Sequence, residues 1–250
     1  MSLYGKTFTG VILARGGSKG LKLKNIQLLA GKPLLWYTIK AARDSDIFDQ
    51  LVVSTDHPAI VGEAWVNRVN VIERPEELAS DAATSEDAMA HALFQLNMAG
   101  KRTDYAVLLE PTHPLLTGTQ LRAAAEMLIK SDKDAILSVV SSDVPYVGTL
   151  PDNLSLRDFV PLYLRKKRRQ ELKPTYYIGG GIYITKWDIL ANAGDFFACD
   201  SMAYILPYKD IDINNREDLK IAEAILSHKV YQLPSRMKVI WRVLCRILGL

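Results

Sequence analysis

The chain has 250 residues, of which 48% are apolar and 24% are charged, and it carries a formal net charge of +3. This length and composition allow one α/β domain with a full core, and they exclude a disordered chain. The net charge is too small to argue for nucleic-acid binding, and it suits an enzyme whose substrates are anions.

The sequence contains two cysteines, Cys199 and Cys245, and four histidines, none at a spacing typical of metal ligands. We therefore expect neither a zinc site nor a disulfide framework, and the cytoplasm is the expected compartment. The N-terminus lacks a basic segment followed by a long apolar stretch, so no signal peptide is predicted. No apolar run approaches the length of a membrane span.

Short apolar segments alternate with segments of helical periodicity along most of the chain. In chain order, the predicted strands are Thr7–Ala14, Leu51–Thr55, Asn70–Ile72, Tyr105–Leu109, Ala135–Val140, Gly181–Thr185 and Tyr204–Ile213. The predicted helices are Leu34–Arg43, Ala59–Val66, Thr84–Ala99, Gly118–Lys130 and Arg216–Ser227. Ser85 and Glu86 are the expected capping residues of the third of these helices. The alternation predicts an α/β fold of three layers, with a mostly parallel sheet between helices.

The chain is interpreted as one domain over residues 1–228, with an insertion at about 141–175 that is polar and rich in proline. Residues 229–250 form a basic tail, in which Lys238, Arg242 and Arg246 fall four apart, along one face of a predicted helix. Apolar residues fill the other face, as in an amphipathic helix. Three alternatives stay open for this tail: contact with an anionic membrane surface, with the chain's own domain, or with a partner subunit.

A glycine-rich basic loop, Arg15-Gly16-Gly17-Ser18-Lys19-Gly20, follows the first predicted strand directly. Open α/β sheets bind ligands at the carboxyl ends of their strands. Glycines let backbone N–H groups approach phosphates, and Arg15, Lys19 and Lys24 supply charge to neutralise them. The loop matches neither the Walker A pattern nor the dinucleotide pattern. It predicts a phosphate-binding loop of another type, and a basic surface turn is the alternative.

Acidic residues follow three of the predicted strands or lie within them. Asp210 and Asp212 are two residues apart in a predicted strand, so both carboxylates would share a face and could hold Mg²⁺ together with phosphate and water. A solvated strand end or a helix start is the alternative for this pair. Asp56 is expected to cap the next helix. Glu110 opens the segment EPTHP at another strand end, which faces the same edge of the sheet.

The run ARGGSKGLKLKNIQLLAGKPLLWYTI closely resembles the N-terminal signature of CMP-sialic acid synthetases, also called acylneuraminate or nonulosonate cytidylyltransferases. Further matches follow in the family's order at Val52–Asp56, Arg74–Asp81, Leu108–Leu115, Gly179–Ile184 and Asp210–Leu219. The resemblance covers residues 8 to 228. It implies a Rossmann-like nucleotidyltransferase fold, a homodimer, CTP as a substrate and a divalent metal, Mg²⁺ or Mn²⁺.

The resemblance assigns roles residue by residue. Arg15 would meet the β and γ phosphates, Lys24 the α phosphate, and Ser85 the cytosine. Arg15, Lys24 and Asp212 are the expected catalytic residues, and Asp210 and Asp212 the expected metal ligands. The implied nucleotide pocket consists of Ala14, Arg15, Gly16, Gly17, Ser18, Lys19, Lys24, Asn25, Arg74 and Ser85.

The resemblance also implies a sugar site, formed by Glu110, Arg169, Tyr177, Gly179, Phe196 and Phe197. Arg169 would pair with a carboxylate or phosphate through its planar guanidinium. Phe196 and Phe197 match an aromatic pair that, in bacterial relatives, enters the sugar pocket of the neighbouring subunit. The region of about 186–203 is therefore the expected dimer contact. A core role for the two phenylalanines is the alternative.

The chain departs from the family pattern in the sugar region. Glu110, His113 and Leu116 stand where glutamine, serine and arginine are usual. Tyr177 and Gly179 stand where arginine and asparagine are usual. A glutamate beside an anionic sugar repels it unless the glutamate is protonated, paired or hydrogen-bonded. These departures leave the identity of the sugar open.

These features together predict transfer of CMP from CTP to a nonulosonic acid of nine carbons, with release of pyrophosphate. CMP activation of another acidic sugar, such as Kdo, is an alternative. A catalytically silent homologue is another, which the retention of Arg15, Lys24 and both aspartates argues against. Nucleic-acid binding is the least favoured hypothesis, because the basic residues lie in separate loops without an aromatic platform.

Overall fold

The computed structural model describes residues 3–142, 167–193, 195–197 and 200–227. The predicted tail at 229–250 and residues 143–166 of the predicted insertion lie outside these ranges, so the proposed domain limits stay predictions. Within the described ranges no helix is both long and apolar enough to cross a membrane.

The first part of the chain alternates strands and helices, as the periodicity predicts. The elements up to residue 109 are β1 (Phe8–Leu13), a 3-10 helix (Lys24–Ile26), β2 (Leu28–Leu29), β3 (Lys32–Pro33), α1 (Leu34–Ser45), β4 (Gln50–Thr55), α2 (Pro58–Val66), β5 (Asn70–Glu73), a second 3-10 helix (Glu76–Ala79), α3 (Ser85–Met98) and β6 (Tyr105–Leu109). The elements that follow are α4 (Gly118–Ser131), β7 (Ala135–Ser142), a 3-10 helix (Arg169–Glu171), β8 (Thr175–Lys186), α5 (Trp187–Ala193), β9 (Ser201–Ile205) and α6 (Arg216–Ser227).

The main sheet of the described residues has seven strands in the order β5-β4-β1-β6-β8-β7-β9. Pairing is parallel throughout β5-β4-β1-β6 and between β7 and β9, whereas β8 is antiparallel to both of its neighbours. The carboxyl ends of β1, β4 and β6 therefore meet at one edge, together with the N-terminal half of β8. This edge is where open α/β sheets place their ligands.

Helices cover both faces of the sheet and give the predicted three layers. On one face, α1 and α4 contribute Leu35, Ile39 and Leu121 to a core that includes Phe8 and Ile12 of β1. On the other face, α3 and α5 pack Met89, Leu93 and Trp187 against outward residues of the same strands. Because β1 and β6 are buried on both faces, neither strand alternates between apolar and polar residues.

Two local predictions are corrected by the structure. The cap of α3 is Thr84, which forms a capping box with Asp87, and not Ser85 with Glu86. The strand predicted at Tyr204–Ile213 ends at Ile205. Pro207 follows closely and has no N–H group to continue a ladder, so residues beyond it leave the sheet.

A bulge in β8 shapes the ligand edge of the sheet. Val139 of β7 pairs with Ile178, but Leu137 pairs with Tyr183, so several residues of β8 oppose Ser138 alone. The bulge contains the glycine run 179–181, and Gly180 and Gly181 have φ values of +88° and +71°. Such backbone favours glycine. The bulge takes two backbone N–H groups of β8 out of the ladder: that of Gly180 donates to Oδ2 of Asp210, and that of Ile182 donates to Oγ of Ser138.

Candidate active site

Two side chains hold the backbone of the loop after β1 in place. Asp56, at the end of β4, accepts a hydrogen bond from the N–H of Gly16 (2.8 Å). Asn25, which is buried, donates from Nδ2 to the carbonyl of Arg15 (2.9 Å). Asn25 thus acts on the loop backbone, and its predicted contact with a nucleotide stays a prediction.

The prediction that Asp56 caps the following helix is wrong. The residue before α2 is His57, whose Nδ1 accepts the N–H of Ala59 (3.1 Å). The carboxylate of Asp56 turns instead to the glycine loop. A Cβ atom on Gly16 would lie 2.6 Å from Cβ of His57, so glycine is required for the loop to pass this close to α2.

Arg15 and Lys19 share one exposed carboxylate, Asp81. Arg15 donates from Nη2 to Oδ1 of Asp81 (2.8 Å), and Nζ of Lys19 lies 3.0 Å from Oδ2 of the same group. Hydrogen bonds from Lys19 and Arg15 keep the pKa of Asp81 below its ordinary value. Arg15 also donates to the carbonyls of Ala79 (3.1 Å) and Ser80 (2.8 Å), which fixes its direction. An anionic ligand at the loop would compete with Asp81 for both cations.

Lys24 joins the glycine loop to the acidic segment near the end of the chain. Its Nζ donates to Oδ1 of Asn214 (3.2 Å), across 190 sequence positions. Burial lowers the pKa of Lys24, while the negative charges of Asp212 and Glu110 act in the opposite direction. A Cβ atom on Gly20 would collide with the carbonyl oxygen of Asn214, so the loop meets this segment at a second point.

Arg74 supplies a buried positive charge behind the loop. It donates from Nε to Oγ of Ser54 (3.1 Å) and from Nη2 to the Ser54 carbonyl (2.8 Å). Burial lowers the pKa of Arg74 to about 10, even though Asp56 raises it, so the guanidinium stays charged near neutral pH. Ser85 lies exposed in the first turn of α3, and its contact with a base stays a prediction.

The two aspartates of Asp210-Ile211-Asp212, here called the DID segment, differ in how deeply they are buried. Asp210 has a side chain that is 5% exposed, and its Oδ2 accepts the N–H of Gly180 (2.8 Å). Asp212 is exposed, and its Oδ2 accepts a hydrogen bond from Nδ2 of Asn214 (2.8 Å). The segment is not part of β9, so the expected alternation along a strand does not orient these carboxylates. Burial raises the pKa of Tyr183, and the negative charges of Asp212 and Asp210 act in the same direction. Both carboxylates therefore lie near Tyr183, in the cleft between the glycine loop and the end of β6.

His113 lies between two carboxylates at the end of β6. Its Nδ1 is 2.8 Å from Oδ2 of Asp210, a close ion pair without the alignment of a hydrogen bond. Its Nε2 is 3.6 Å from Oε2 of Glu110. Burial lowers the pKa of His113, but Asp210 and Glu110 outweigh burial and raise the pKa to about 10. Glu110 is therefore paired, which is one of the conditions under which it tolerates an anionic neighbour.

The aromatic residues divide between the core and the surface. Phe196 is 1% exposed and packs against Tyr183 with ring centroids 5.4 Å apart, so it takes the core role. Phe197 is 54% exposed, and its entry into a partner's sugar pocket stays a prediction. The ring of Tyr177 lies against Gly179, where an added Cβ would be 3.2 Å from Cε2. A residue larger than glycine at 179 would crowd the ring of Tyr177, so the two residues fit each other in size.

Arg169 belongs to the short helix at Arg169–Glu171, and the role of its side chain stays a prediction. Four residues of the cleft carry no role in the sequence analysis: Asp81, His113, Tyr183 and Asn214. In the sequence, His113 stands out only as a departure from the family pattern. Its place in the EPTHP segment, which follows a buried strand, was the available signal. Asn214 and Asp81 reach the cleft through contacts with the loop that no local pattern reveals.

Asp210 and Asp212 are the two carboxylates of the cleft that the sequence analysis assigns to a metal. In the described ranges no group of three or more His, Cys, Asp or Glu residues is arranged to hold a metal ion. However, Oδ1 of Asp210 is buried and has no hydrogen-bond partner there. A buried polar atom without a partner is uncommon, and a bound ion or water is one explanation for it. The pair therefore fits a cation that takes its remaining ligands from phosphate and water.

Residues 9–158 match the family model described as Cytidylyltransferase. Among curated proteins, N-acylneuraminate cytidylyltransferase of Escherichia coli is 34% identical over 88% of this chain and 52% of its own length. The enzyme of the same name from Streptococcus agalactiae is 33% identical over 83% of this chain and 50% of its own. The chain thus spans about half the length of these relatives. Pseudaminic acid cytidylyltransferase of Campylobacter jejuni is 29% identical over 86% of this chain and 94% of its own.

Solved structures confirm the fold. CMP:2-keto-3-deoxy-manno-octonic acid synthetase complexed with CTP superposes with a TM-score of 0.69 at 14% identity, over 89% of this chain and 99% of that one. The 4-diphosphocytidyl-2C-methyl-D-erythritol synthase of Anaerococcus prevotii gives a TM-score of 0.65 at 17% identity, over 90% and 97%. The predicted Rossmann-like nucleotidyltransferase fold and the predicted family resemblance are both confirmed.

Proposed function

This chain belongs to the cytidylyltransferase family, and we propose that it transfers CMP from CTP to the anomeric hydroxyl of a nonulosonic acid in the cytoplasm. The observation that carries the proposal is the placement of Lys24. Its ammonium group joins the glycine-rich cationic loop to the segment that holds Asp210 and Asp212. A triphosphate lying between them would meet cations on one side and metal-binding carboxylates on the other.

In the proposed reaction the anomeric oxygen of the sugar acid forms a bond to the α phosphorus of CTP. The bond between that phosphorus and the oxygen that bridges to the β phosphate breaks, pyrophosphate leaves, and the hydroxyl proton is lost to solvent. Catalysis of this kind is mainly positioning and charge stabilisation. Arg15 and Lys19 would hold the terminal phosphates, and Lys24 would stabilise negative charge that grows on the α phosphate.

Asp210 and Asp212 would hold Mg²⁺ or Mn²⁺ together with phosphate oxygens. The buried Oδ1 of Asp210, which has no hydrogen-bond partner within the described part of the chain, supports this assignment. When bound, such an ion orients the α phosphate and neutralises its charge. Asp212 is exposed, so it is accessible to a metal that arrives with the nucleotide.

The acidic sugar is proposed to bind near Glu110, Arg169, Tyr177 and Gly179. The ion pair of Glu110 with His113 offsets the repulsion that a free glutamate would exert on a sugar carboxylate. We further propose a homodimer in which the exposed ring of Phe197 meets the partner subunit. Tyr176 and Ile178 at the start of β8 are further exposed apolar side chains.

Release of pyrophosphate tests the function directly. Purified protein with CTP and Mg²⁺ is expected to release pyrophosphate with one acid from a panel of N-acetylneuraminate, legionaminate, pseudaminate and Kdo. The product should carry CMP, as mass spectrometry would show. Release with Kdo alone would transfer the proposal to the eight-carbon acids. CTP binding without release for any acid would contradict it and favour a silent homologue.

Replacing Asp81 by asparagine is expected to tighten binding of CTP. Asp81 pairs with both Arg15 and Lys19, so a triphosphate must displace it. The Kd for CTP, measured by calorimetry without metal, should fall by about two- to fivefold, because exposed charge pairs contribute little. The gain should shrink at high salt.

Glu76→Gln is the control for this change, since it removes an exposed carboxylate from the preceding 3-10 helix without touching either pair. It should leave the Kd nearly unchanged. Weaker CTP binding by Asp81→Asn would show that the carboxylate orients Arg15 rather than competing with the nucleotide.

A further inference from the structure

The bulge of β8 and the turn after β6 meet around a single carboxylate. Oδ2 of Asp210 accepts the N–H of Gly180 at 2.8 Å and lies 2.8 Å from Nδ1 of His113. Its other oxygen, Oδ1, has no hydrogen-bond partner among the described residues and is buried. One oxygen of the group is therefore held from two sides, and the other is left for a ligand.

Backbone contacts hold His113 and Asp210 next to each other. The N–H of Ile213 donates to the carbonyl of Thr112 (2.9 Å), which ties the DID segment to the EPTHP turn. A Cβ atom on Gly181 would lie 2.8 Å from Cδ2 of the imidazole. The bare backbone of Gly181 thus forms the wall against which the ring packs, and the ring is only 7% exposed. With backbone on these sides, the imidazole has little freedom to turn away from Asp210.

We infer that His113 is a positioning residue that fixes Asp210 so that its free oxygen serves the metal of the nucleotidyl transfer. This inference rests on the proposed function, and it adds a residue and a contact to that function. Neighbouring groups that orient a metal ligand commonly change metal affinity by about 10–100-fold when they are removed. Because His113 also pairs with Glu110, it links the proposed sugar region to the proposed metal region.

Two neutral substitutions separate the two contacts of the imidazole. Asparagine at 113 can place an amide N–H where Nδ1 stands, and so can keep a polar contact with Asp210. Glutamine reaches the position of Nε2, and so can donate to Glu110 but not to Asp210. Both variants lose the ring and its charge, so a difference between them reports the contact with Asp210.

The measurement is Mn²⁺ binding to the protein saturated with CTP, followed by the electron paramagnetic resonance of free Mn²⁺. His113→Gln is expected to weaken Mn²⁺ binding by about tenfold or more, and His113→Asn by less than about threefold. Binding of CTP in EDTA should be the same in both variants and in the unaltered protein. Glu110→Gln, which leaves the contact with Asp210 in place, should not weaken Mn²⁺ binding.

Equal Mn²⁺ affinities for His113→Gln and the unaltered protein would overturn the inference while leaving the proposed function intact. Failure of the unaltered protein to bind Mn²⁺ in the CTP complex would instead overturn the proposed metal site, and the inference with it. A measurement on the unaltered protein covers the case in which a variant does not fold. Mn²⁺ bound beside Asp210 should broaden the ring resonances of His113 beyond detection, and sharp resonances would contradict the inference.

Discussion

A Lys24→Met variant is expected to lose about 10²–10³-fold in kcat, the usual cost of removing one donor to a developing negative charge. Methionine keeps the length and the apolar stem of lysine, so the half-buried position stays filled. What is lost is the ammonium group that faces Asn214 and Asp212. The assay is pyrophosphate release with CTP, Mg²⁺ and the acid that the panel identifies.

Lys22→Met is the matched control, because Lys22 is an exposed cation of the same loop. It should change kcat by less than about threefold, as expected for a surface charge. If both variants lost activity equally, general attraction of the nucleotide by a basic loop would explain the effect. In that case Lys24 would have no specific role at the α phosphate.

The pH dependence gives a second test of Lys24. Burial lowers its pKa, so the catalytic ammonium form should be lost at a lower pH than for an ordinary lysine. The pH dependence of kcat/KM reports the pKa values of groups in the free enzyme. The pKa that describes the loss of kcat/KM at alkaline pH (the alkaline limb) should therefore lie below the ordinary pKa of lysine. This limb should be absent from the residual activity of Lys24→Met. An unchanged limb in the variant would assign the titration to another group.

The order of strands and helices and the position of the glycine loop could be predicted because each depends on short stretches of sequence. β6 is a continuous apolar run, β1 is a mostly apolar one, and RGGSKG begins two residues after β1 ends. Parallel strands bring their carboxyl ends to one edge, so the ligand edge also followed from the pattern. The family resemblance then supplied the roles of individual residues.

The errors arose where a side chain had a distant partner. Asp56 was expected to cap α2, but Gly16, forty positions away, offers its N–H, and His57 serves as the cap. The depth of Asp210 depends on His113 and on the bulge of β8, since Gly180 supplies the bond that turns it inward. The periodicity of the sequence reveals neither the bulge nor these pairings, because both depend on the register between strands.

Asp212→Asn is expected to reduce kcat on the order of 10³-fold, because metal coordination supplies several kcal/mol of charge stabilisation. Asparagine has the same size and can still accept the hydrogen bond from Asn214, so the exposed segment should keep its conformation. CTP binding in EDTA should not weaken, since the change removes a negative charge from the cleft. Higher Mg²⁺ should recover part of the activity if Asp212 acts as a metal ligand.

Asp44→Asn is the control, because Asp44 is an exposed aspartate in the last turn of α1 that pairs with Lys40. It should retain full activity. Asp212 also raises the pKa of Lys24, so its removal should move the alkaline limb of the residual kcat/KM to lower pH. Retention of more than about a tenth of the activity would be incompatible with metal ligation by Asp212, for which losses of several kcal/mol are expected. If kcat fell but the alkaline limb of kcat/KM did not move, Asp212 would lie farther from Lys24 than the structure places it.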